Sequence, residues 1–241
     1  MSESGTRLNK YLASCGVGSR RGCDVLIQGG HVIVNGEVLI NPGYRVQPGD
    51  FVKMGNRVFE PLATTTIAFH KPAGLVCTRK DEGGKGTIYD AIPPRFHHLA
   101  HVGRLDMESE GLLILTNDGA LAQALTHPGH QTEKLYHVTV DSAFENSILD
   151  QLLKGVYTQE GKARAVSVKR LSPRRIEIVL NTGIKRQIRY MMQAVGYRVK
   201  KLVRLRIGGL VLSDLKVAKH RVLKAEDIAL LLQSGDQKNG R

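Results

Sequence analysis

The pattern of apolar positions in the first sixty residues predicts a small unit of two helices and short strands. Residues 7–16 place apolar side chains on one helical face, and Ser19 offers an N-cap for a second helix that ends near residue 30. Asn35 and Gly36 separate two short apolar runs, which is typical of a tight β-hairpin, and "DFVKM" adds a further strand. We predict a domain over residues 1–60.

Residues 61–66 lose this periodicity and are interpreted as a linker. In the larger region, 67–235, alternating segments predict strands at "TIAFH", "GLLILT", "KLYHVTV", "RRIEIVL" and "YRVKKLVRLRIGGLVL". Helices are predicted at about 120–126, 145–154 and 185–195 and over "KAEDIALLLQ". Strands outnumber helices, which favours an α+β fold with a mixed, mainly antiparallel sheet and flanking helices. The tail 236–241 is predicted to be disordered, and "DEGGKGT" to be a flexible glycine-rich loop.

Composition places the chain among ordinary globular proteins. Its 241 residues are 41% hydrophobic and 24% charged, and no apolar run is long enough for a signal peptide or a membrane span, so we expect a cytoplasmic protein without a membrane partner. Cys15, Cys23 and Cys77 show no C-x-x-C spacing, which favours buried thiols over disulfides or a zinc site.

The net charge of +13 is concentrated in one segment. Residues 162–206 contain 14 Lys or Arg and a single acid, Glu177, so this segment carries the whole excess. A solvated basic face is one explanation. A nucleic-acid partner is the other, since phosphates neutralise such a concentration of like charge.

The stretch "GRLDMESEG" contains three acids, Asp106, Glu108 and Glu110. A calcium loop would need a glutamate where Asn117 stands, and no H-E-x-x-H pattern occurs, so no metal site is predicted. A glycosidase pair would need sugar-stacking aromatic residues, but the chain has no Trp and only 5% aromatics. The strand that follows anchors the loop, so Asp106 is expected to be held rigidly, whereas Glu108 and Glu110 are expected to be solvated.

These residues resemble a known family. "HVGRLDMESEGLLILTNDG" is similar to the signature of bacterial ribosomal-RNA pseudouridine synthases that modify single uridines of small- or large-subunit rRNA, and "HKPAG", "EKLYHVTV" and "NTGIKRQIRYM" agree with the family's other blocks in order and spacing. "RLNKYLASCGVGSRRGCDVLIQGGHVIVNG" resembles the RNA-binding domain named after ribosomal protein S-four. The chain departs from the family pattern at His70, which is usually Asn, and at Tyr190, which is often Arg.

The resemblance implies the conversion of uridine to pseudouridine without a cofactor or metal. It assigns Asp106 as the catalytic residue, with Arg104, Tyr136 and Arg189 binding the substrate. Tyr136 would pack against the flipped target base. The Arg189 guanidinium would form a planar two-point clamp on Asp106 and favour its charged form.

The resemblance and the charge pattern also imply RNA contacts. These are predicted at Arg7, Lys10, Ser19, Arg20, Arg21, Lys134, Lys185, Arg186, Gln187, Arg204 and Arg206. Residues 1–60 carry 7 basic and 5 acidic residues, so the first domain is expected to act as a weak tether. The partner is expected to be ribosomal RNA or a ribosomal subunit precursor, with the large subunit favoured, and the protein a monomer. A non-catalytic RNA-binding or ribosome-assembly factor on the same fold is the alternative, and a glycosidase that releases free uracil is a third reading.

Overall fold

A computed structural model describes residues 5–79 and 83–233 of the chain. The chain divides into two compact units, residues 1–64 and 65–241. The predicted disordered tail and the first two residues of the predicted glycine-rich loop, Asp81 and Glu82, lie outside the described residues. No helix in the described part is long and apolar enough to cross a bilayer.

The described residues of the first unit form two helices and six short strands. They are β1 (Thr6–Arg7), α1 (Leu8–Ser14), α2 (Arg20–Gln28), β2 (Val32–Val34), β3 (Glu37–Leu39), β4 (Arg45–Val46), β5 (Val52–Met54) and β6 (Arg57–Val58). One sheet has the strand order β3-β2-β5-β6, and β1 pairs with β4. Leu8, Leu12, Cys23 and Ile27 join Val32 and neighbouring apolar residues in one buried core.

Two local predictions in this unit are confirmed. The Ser19 side chain accepts a hydrogen bond from the Gly22 amide, which caps α2. Asn35 and Gly36 have φ angles of 52° and 93°, as the two central residues of a type I′ turn require, and they connect β2 to β3.

The second unit contains four α-helices and eleven strands among its described residues. They are β7 (Thr66–Lys71), β8 (Ala100–Val102), β9 (Glu110–Thr116), α3 (Gly119–Thr126), β10 (Lys134–Val140), α4 (Ser147–Lys154), β11 (Val156–Thr158), β12 (Gly161–Ala163), β13 (Ser167–Ser172), β14 (Arg175–Leu180), α5 (Gln187–Ala194), β15 (Val199–Ile207), β16 (Leu210–Val211), β17 (His220–Val222) and α6 (Ala225–Leu232).

The large sheet of this unit has the order β13-β14-β10-β15-β9-β7-β17. Strands β15 and β9 run parallel, with Arg204 opposite Gly111, and the other neighbours in this order are antiparallel. The predicted α+β fold with a mixed, mainly antiparallel sheet is therefore confirmed. The residues of α4 and α5 pack with β10 and β14 in one apolar core, and α3 and α6 belong to a second core.

Two features differ from the sequence predictions. The segment predicted as one strand over 197–212 is a hairpin of β15 and β16, because the chain reverses at Gly208, where φ is +55° and a Cβ would lie 2.2 Å from the Leu231 carbonyl oxygen. Strand β13 and the β11–β12 hairpin were not predicted. Strand β13 buries none of its residues fully, so its sequence lacks the apolar alternation on which the prediction depends.

Candidate active site

The loop that carries Asp106 connects β8 to β9 and is anchored by a buried lysine. Lys71, the last residue of β7, is fully buried, and its Nζ donates to the backbone oxygens of Pro72 (2.9 Å), Met107 (3.3 Å) and Ser109 (2.8 Å). The Ser109 amide donates to the Asp106 carbonyl and closes the turn. The hydrogen bonds from Lys71 therefore fix the backbone on the C-terminal side of Asp106.

This role of Lys71 was not predicted from the sequence. Burial lowers the pKa of its ammonium group, and the three carbonyl oxygens replace the lost water. A signal existed: Lys71 ends the strand "TIAFHK", in which every residue is buried, and a lysine in such a position needs internal acceptors.

On the N-terminal side of Asp106, Leu105 is buried and contacts Cys77. The Cys77 Sγ lies 3.4 Å from the Leu105 carbonyl oxygen and 3.5 Å from its amide nitrogen. Leu105 thereby fixes the other flank of the turn, and the Asp106 side chain, 28% exposed, stays open to the solvent side.

Strand β15 can approach the start of β9 closely because the second residue of β9, Gly111, has no side chain. A Cβ on Gly111, where φ is +121°, would lie 2.2 Å from the Arg204 carbonyl oxygen. The Arg204 side chain then turns back across β9, where its Nε donates to the Leu112 carbonyl (2.8 Å) and its Nη1 to the Arg104 carbonyl (3.4 Å). Gly111 thus permits the parallel pairing that links the aspartate loop to β15.

Arg189, on α5, lies beside Asp106 but does not clamp it. Its Nε is 3.9 Å from Asp106 Oδ2 and 3.7 Å from Glu108 Oε2, and this buried Nε has no hydrogen-bond partner among the described residues. Its Nη1 and Nη2 donate instead to the Val199 carbonyl and the Ser109 hydroxyl. The expected two-point clamp is therefore wrong: the contact is a charge pair, because the two terminal nitrogens are held elsewhere.

The two companion acids have different environments. Glu108 is exposed and accepts a hydrogen bond from Arg186 Nη1 at 3.0 Å; burial alone would raise its pKa, but this bond and the charges of Arg186 and Arg189 lower it. The prediction that Glu110 is solvated is wrong. Its carboxylate is 19% exposed and lies 3.3 Å from His70 Nε2 on β7 and 3.5 Å from Lys201 Nζ on β15, the two strands next to β9.

A cavity of about 570 Å³ opens beside Asp106. Eight of the predicted site residues line it, namely Arg104, Asp106, Lys134, Tyr136, Lys185, Arg186, Gln187 and Arg204. Asp106 is the one acid among the described residues that line the cavity, whereas five Lys or Arg do so. The cavity is therefore cationic, with a single carboxylate and an aromatic ring.

Several of the predicted RNA contacts have internal partners, and Gln187, Arg206 and Arg204 are three of them. Gln187 is 5% exposed, and its Oε1 accepts from the Thr182 hydroxyl at 2.9 Å at the start of α5. Arg206 is absent from the cavity lining and pairs with Glu133 at 3.3 Å. Arg204 is 4% exposed, so it does not belong to an open phosphate-binding surface. The internal hydrogen bonds of these residues could not be predicted from the polar residues next to them in the sequence.

Comparison with known proteins shows which family the chain belongs to. The family model for RNA pseudouridylate synthase matches residues 65–194, which include Asp106, Tyr136 and Arg189. The chain belongs to the RNA pseudouridylate synthase family. An S4 domain model matches residues 6–52, within the first unit.

Several relatives agree with this family. The dual-specificity RNA pseudouridine synthase RluF of Escherichia coli K12 is 36% identical over 229 residues, which are 94% of this chain and 78% of RluF. The ribosomal large subunit pseudouridine synthase B of Vibrio cholerae is 35% identical over 216 residues, 86% of this chain and 67% of that protein. A crystal structure of a pseudouridylate synthase superimposes with a TM-score of 0.69 at 26% identity, covering 94% of this chain and 100% of the other.

In this pseudouridylate synthase the S4 domain carries a second, smaller cavity of about 260 Å³. Its lining includes three predicted RNA contacts, Arg7, Lys10 and Arg20, together with Arg45, which was not predicted. Arg45 lies opposite Arg7 in the β1–β4 pair, a long-range contact that no local pattern reveals. Ser19 and Arg21 are outside the lining, and Ser19 is engaged as the α2 cap.

Proposed function

We propose that this protein converts a single uridine of ribosomal RNA to pseudouridine, with Asp106 as the catalytic carboxylate. The observation that carries the proposal is that Asp106 is the one acid lining a cationic, nucleoside-sized cavity among the described residues, and that Tyr136 lines the same cavity. An RNA substrate matches both features, because its backbone is anionic and its bases stack on aromatic rings.

The reaction breaks the bond between ribose and uracil, turns the base and joins its carbon five to the sugar. Bond breaking builds positive charge on the ribose, which the Asp106 carboxylate either stabilises and captures or relieves by removing a neighbouring proton. In both routes Asp106 must be a carboxylate, and Arg189 supports that charge from 3.9 Å.

The uridine must leave its stack to reach the loop. Tyr136, 8% exposed and part of β10, then offers a fixed surface against which the flipped base packs. Arg104 and Lys185 are exposed at the cavity and are suited to the phosphates on either side of the target. Arg7, Lys10 and Arg20 would bind phosphates of a neighbouring rRNA segment.

Large-subunit rRNA is the favoured substrate. This choice is supported by the similarity to a synthase named for the ribosomal large subunit, and RluF is named as acting on RNA with dual specificity. We propose that the protein acts in the cytoplasm as a monomer.

The experiment is Asp106→Asn assayed on rRNA from cells that lack the protein, with pseudouridines mapped by carbodiimide labelling and primer extension. We expect at least a roughly 10⁴-fold loss of pseudouridine formation, in the range seen when a catalytic carboxylate or nucleophile is removed, while RNA affinity stays within about threefold, since no phosphate contact is lost. Glu108→Gln, an exposed acid of the same loop, is the matched control and should lose less than about tenfold. Full activity of the Asn variant would refute the assignment.

A further inference from the structure

One wall of the catalytic cavity, formed by β10 and β15, carries two cations beside the aromatic ring. Lys134 and Tyr136 are two residues apart on β10 and therefore project from the same face of the sheet. Arg204 lies directly opposite Tyr136 in the register with β15, and all three line the cavity. The surface on which a base would stack is thus flanked by two positive groups.

Neither cation is neutralised by a carboxylate in the described structure. Lys134 Nζ donates to the Thr132 carbonyl at 2.7 Å and keeps two further N–H groups. Arg204 spends Nε and Nη1 on backbone carbonyls, and its buried Nη2 has no hydrogen-bond partner among the described residues. The glutamate next to Lys134, Glu133, pairs with Arg206.

Holding these charges together is unfavourable without a ligand. Burial, followed by the charge of Arg204, lowers the pKa of Lys134 to about 8. An acceptor that brings negative charge between the two groups would relieve both the repulsion and the unmet hydrogen-bonding capacity. The proposed reaction generates such a group at this place.

We propose that Lys134 and Arg204 bind the carbonyl oxygens of the leaving uracil and stabilise the negative charge that it acquires as the glycosidic bond breaks. This inference rests on the proposed function. The bond between ribose carbon one and nitrogen one breaks, and its electron pair stays on the uracil, shared among nitrogen one and the two carbonyl oxygens. After the base turns, carbon five bonds to the sugar, carbon five loses its proton and nitrogen one gains one, so no oxidant or further reactant is needed.

The two halves of the cavity then have complementary tasks. Asp106 serves the sugar, which becomes positive, and the Lys134–Arg204 pair serves the base, which becomes negative. A backbone phosphate is a poorer occupant of the pair, because Arg204 is 4% exposed and lies opposite Tyr136. The exposed cations Arg104 and Lys185 provide phosphate contacts at positions that a backbone can reach.

The test compares leaving groups. Large-subunit rRNA is transcribed with uridine or with 5-fluorouridine, whose electron-withdrawing fluorine already stabilises the uracil anion. Carbon five of the fluorinated base has no proton to lose, so its carbon-linked product instead takes up water across the bond between nitrogen one and carbon six. Single-turnover rates are therefore measured at saturating enzyme from the loss of the nitrogen-linked nucleoside, by chromatography and mass spectrometry, for both substrates. Lys134→Met should slow the uridine reaction by about 100-fold, as for loss of one charge-stabilising donor, and the fluorinated reaction by only about tenfold, while RNA affinity stays within about threefold.

Lys134→Arg keeps the positive charge and should recover much of the lost rate on uridine. Lys185→Met is the matched control: it removes an exposed cation of the same cavity and should weaken RNA binding a few-fold with the same factor for both substrates. Equal slowing of both substrates by Lys134→Met, or a loss confined to RNA affinity, would overturn the inference and assign Lys134 to a phosphate. A wild-type protein that forms no pseudouridine in any rRNA would instead overturn the proposed function, and this inference with it.

Discussion

The two cavities of the molecule are both basic, yet they are built differently. Arg7, Lys10, Arg20 and Arg45 line the S4-domain cavity, which has no carboxylate or aromatic side chain in its described lining. The proposed catalytic cavity is about twice as large and adds Asp106, Tyr136 and partly or fully buried cations. Surface cations suffice to hold a polyanion, whereas chemistry on the flipped nucleoside needs charges of both signs fixed in a partly dry place.

One glycine from each unit illustrates how closely the backbone is packed there. In the S4 domain the turn at Gly36 is open, and a Cβ added there would have no atom within 4 Å, whereas Gly111 in the catalytic unit is in contact with the next strand. A buried lysine also holds the Asp106 loop through three carbonyl oxygens. The S4-domain cavity, in contrast, is lined by residues of two helices and of a short strand pair. The difference predicts that substitutions in the catalytic unit have the larger effects.

The largest effect is expected for Gly111→Ala. A methyl group there would meet the Arg204 carbonyl oxygen at 2.2 Å with φ at +121°, so β9 and β15 could not pair as they do. We expect a loss of more than about 4 kcal/mol in the free energy of unfolding, or failure to fold. Gly36→Ala, at a φ of +93° in open space, should cost about 1 kcal/mol. Urea unfolding of both variants checks this, and similar losses would contradict the comparison.

Lys71→Met should separate loop anchoring from RNA binding. Three carbonyl oxygens would lose a buried donor, which should destabilise the fold by about 2–3 kcal/mol and slow the single-turnover rate by about 100-fold through misplacement of Asp106. RNA affinity should change less than about threefold. Lys201→Met, which removes a side chain that is 59% exposed, is the control and should change stability by less than about 0.5 kcal/mol. An unchanged rate in Lys71→Met would show that the loop does not need this anchor.

The pH dependence of the rate should report on Lys134 in the larger cavity. Because burial and the charge of Arg204 lower the pKa of Lys134 to about 8, its ammonium form prevails below that pH and is lost above it. The single-turnover rate should therefore fall as pH rises past 8, by about tenfold at one pH unit above the pKa if the cation is essential. The other charged or titratable groups of the cavity are Arg104, Asp106, His127, Tyr136, Lys185, Arg186 and Arg204. The Lys134→Arg variant should not show this fall in rate. If the variant still shows the fall, another of these groups is responsible for it.

The smallest effect is expected for Arg7→Ala in the S4 domain. Loss of one phosphate contact should weaken rRNA binding about fivefold and reduce the slope of log affinity against log salt by about one. The rate at saturating enzyme should not change, because the S4-domain cavity takes no part in the chemistry. Filter binding over a range of salt concentrations measures both quantities. A lower saturated rate with normal affinity would contradict a tethering role.

Local signals in the sequence were sufficient for most of the elements and for singling out Asp106 as a candidate. The Ser19 cap and the Asn35-Gly36 turn act over a few residues, so their structures could be predicted without the rest of the chain. The same holds for the α+β class, which follows from alternation along strands such as β10 and β14. Asp106 stood out because a glycine-bounded loop leads directly into an apolar strand.

Long-range partners decided the rest. Lys71 lies 38 residues from Ser109, and Arg204 lies 92 residues from Leu112, so no window of sequence shows that one anchors the loop and the other is buried across β9. The expected Arg189 clamp was wrong for the same reason, since Val199 and Ser109 take its terminal nitrogens. The sequence alone determined which residue types are present and which short segments they form. Only the tertiary structure decided which buried charge meets which acceptor, because a buried polar group takes whatever partner the packed chain brings within about 3 Å.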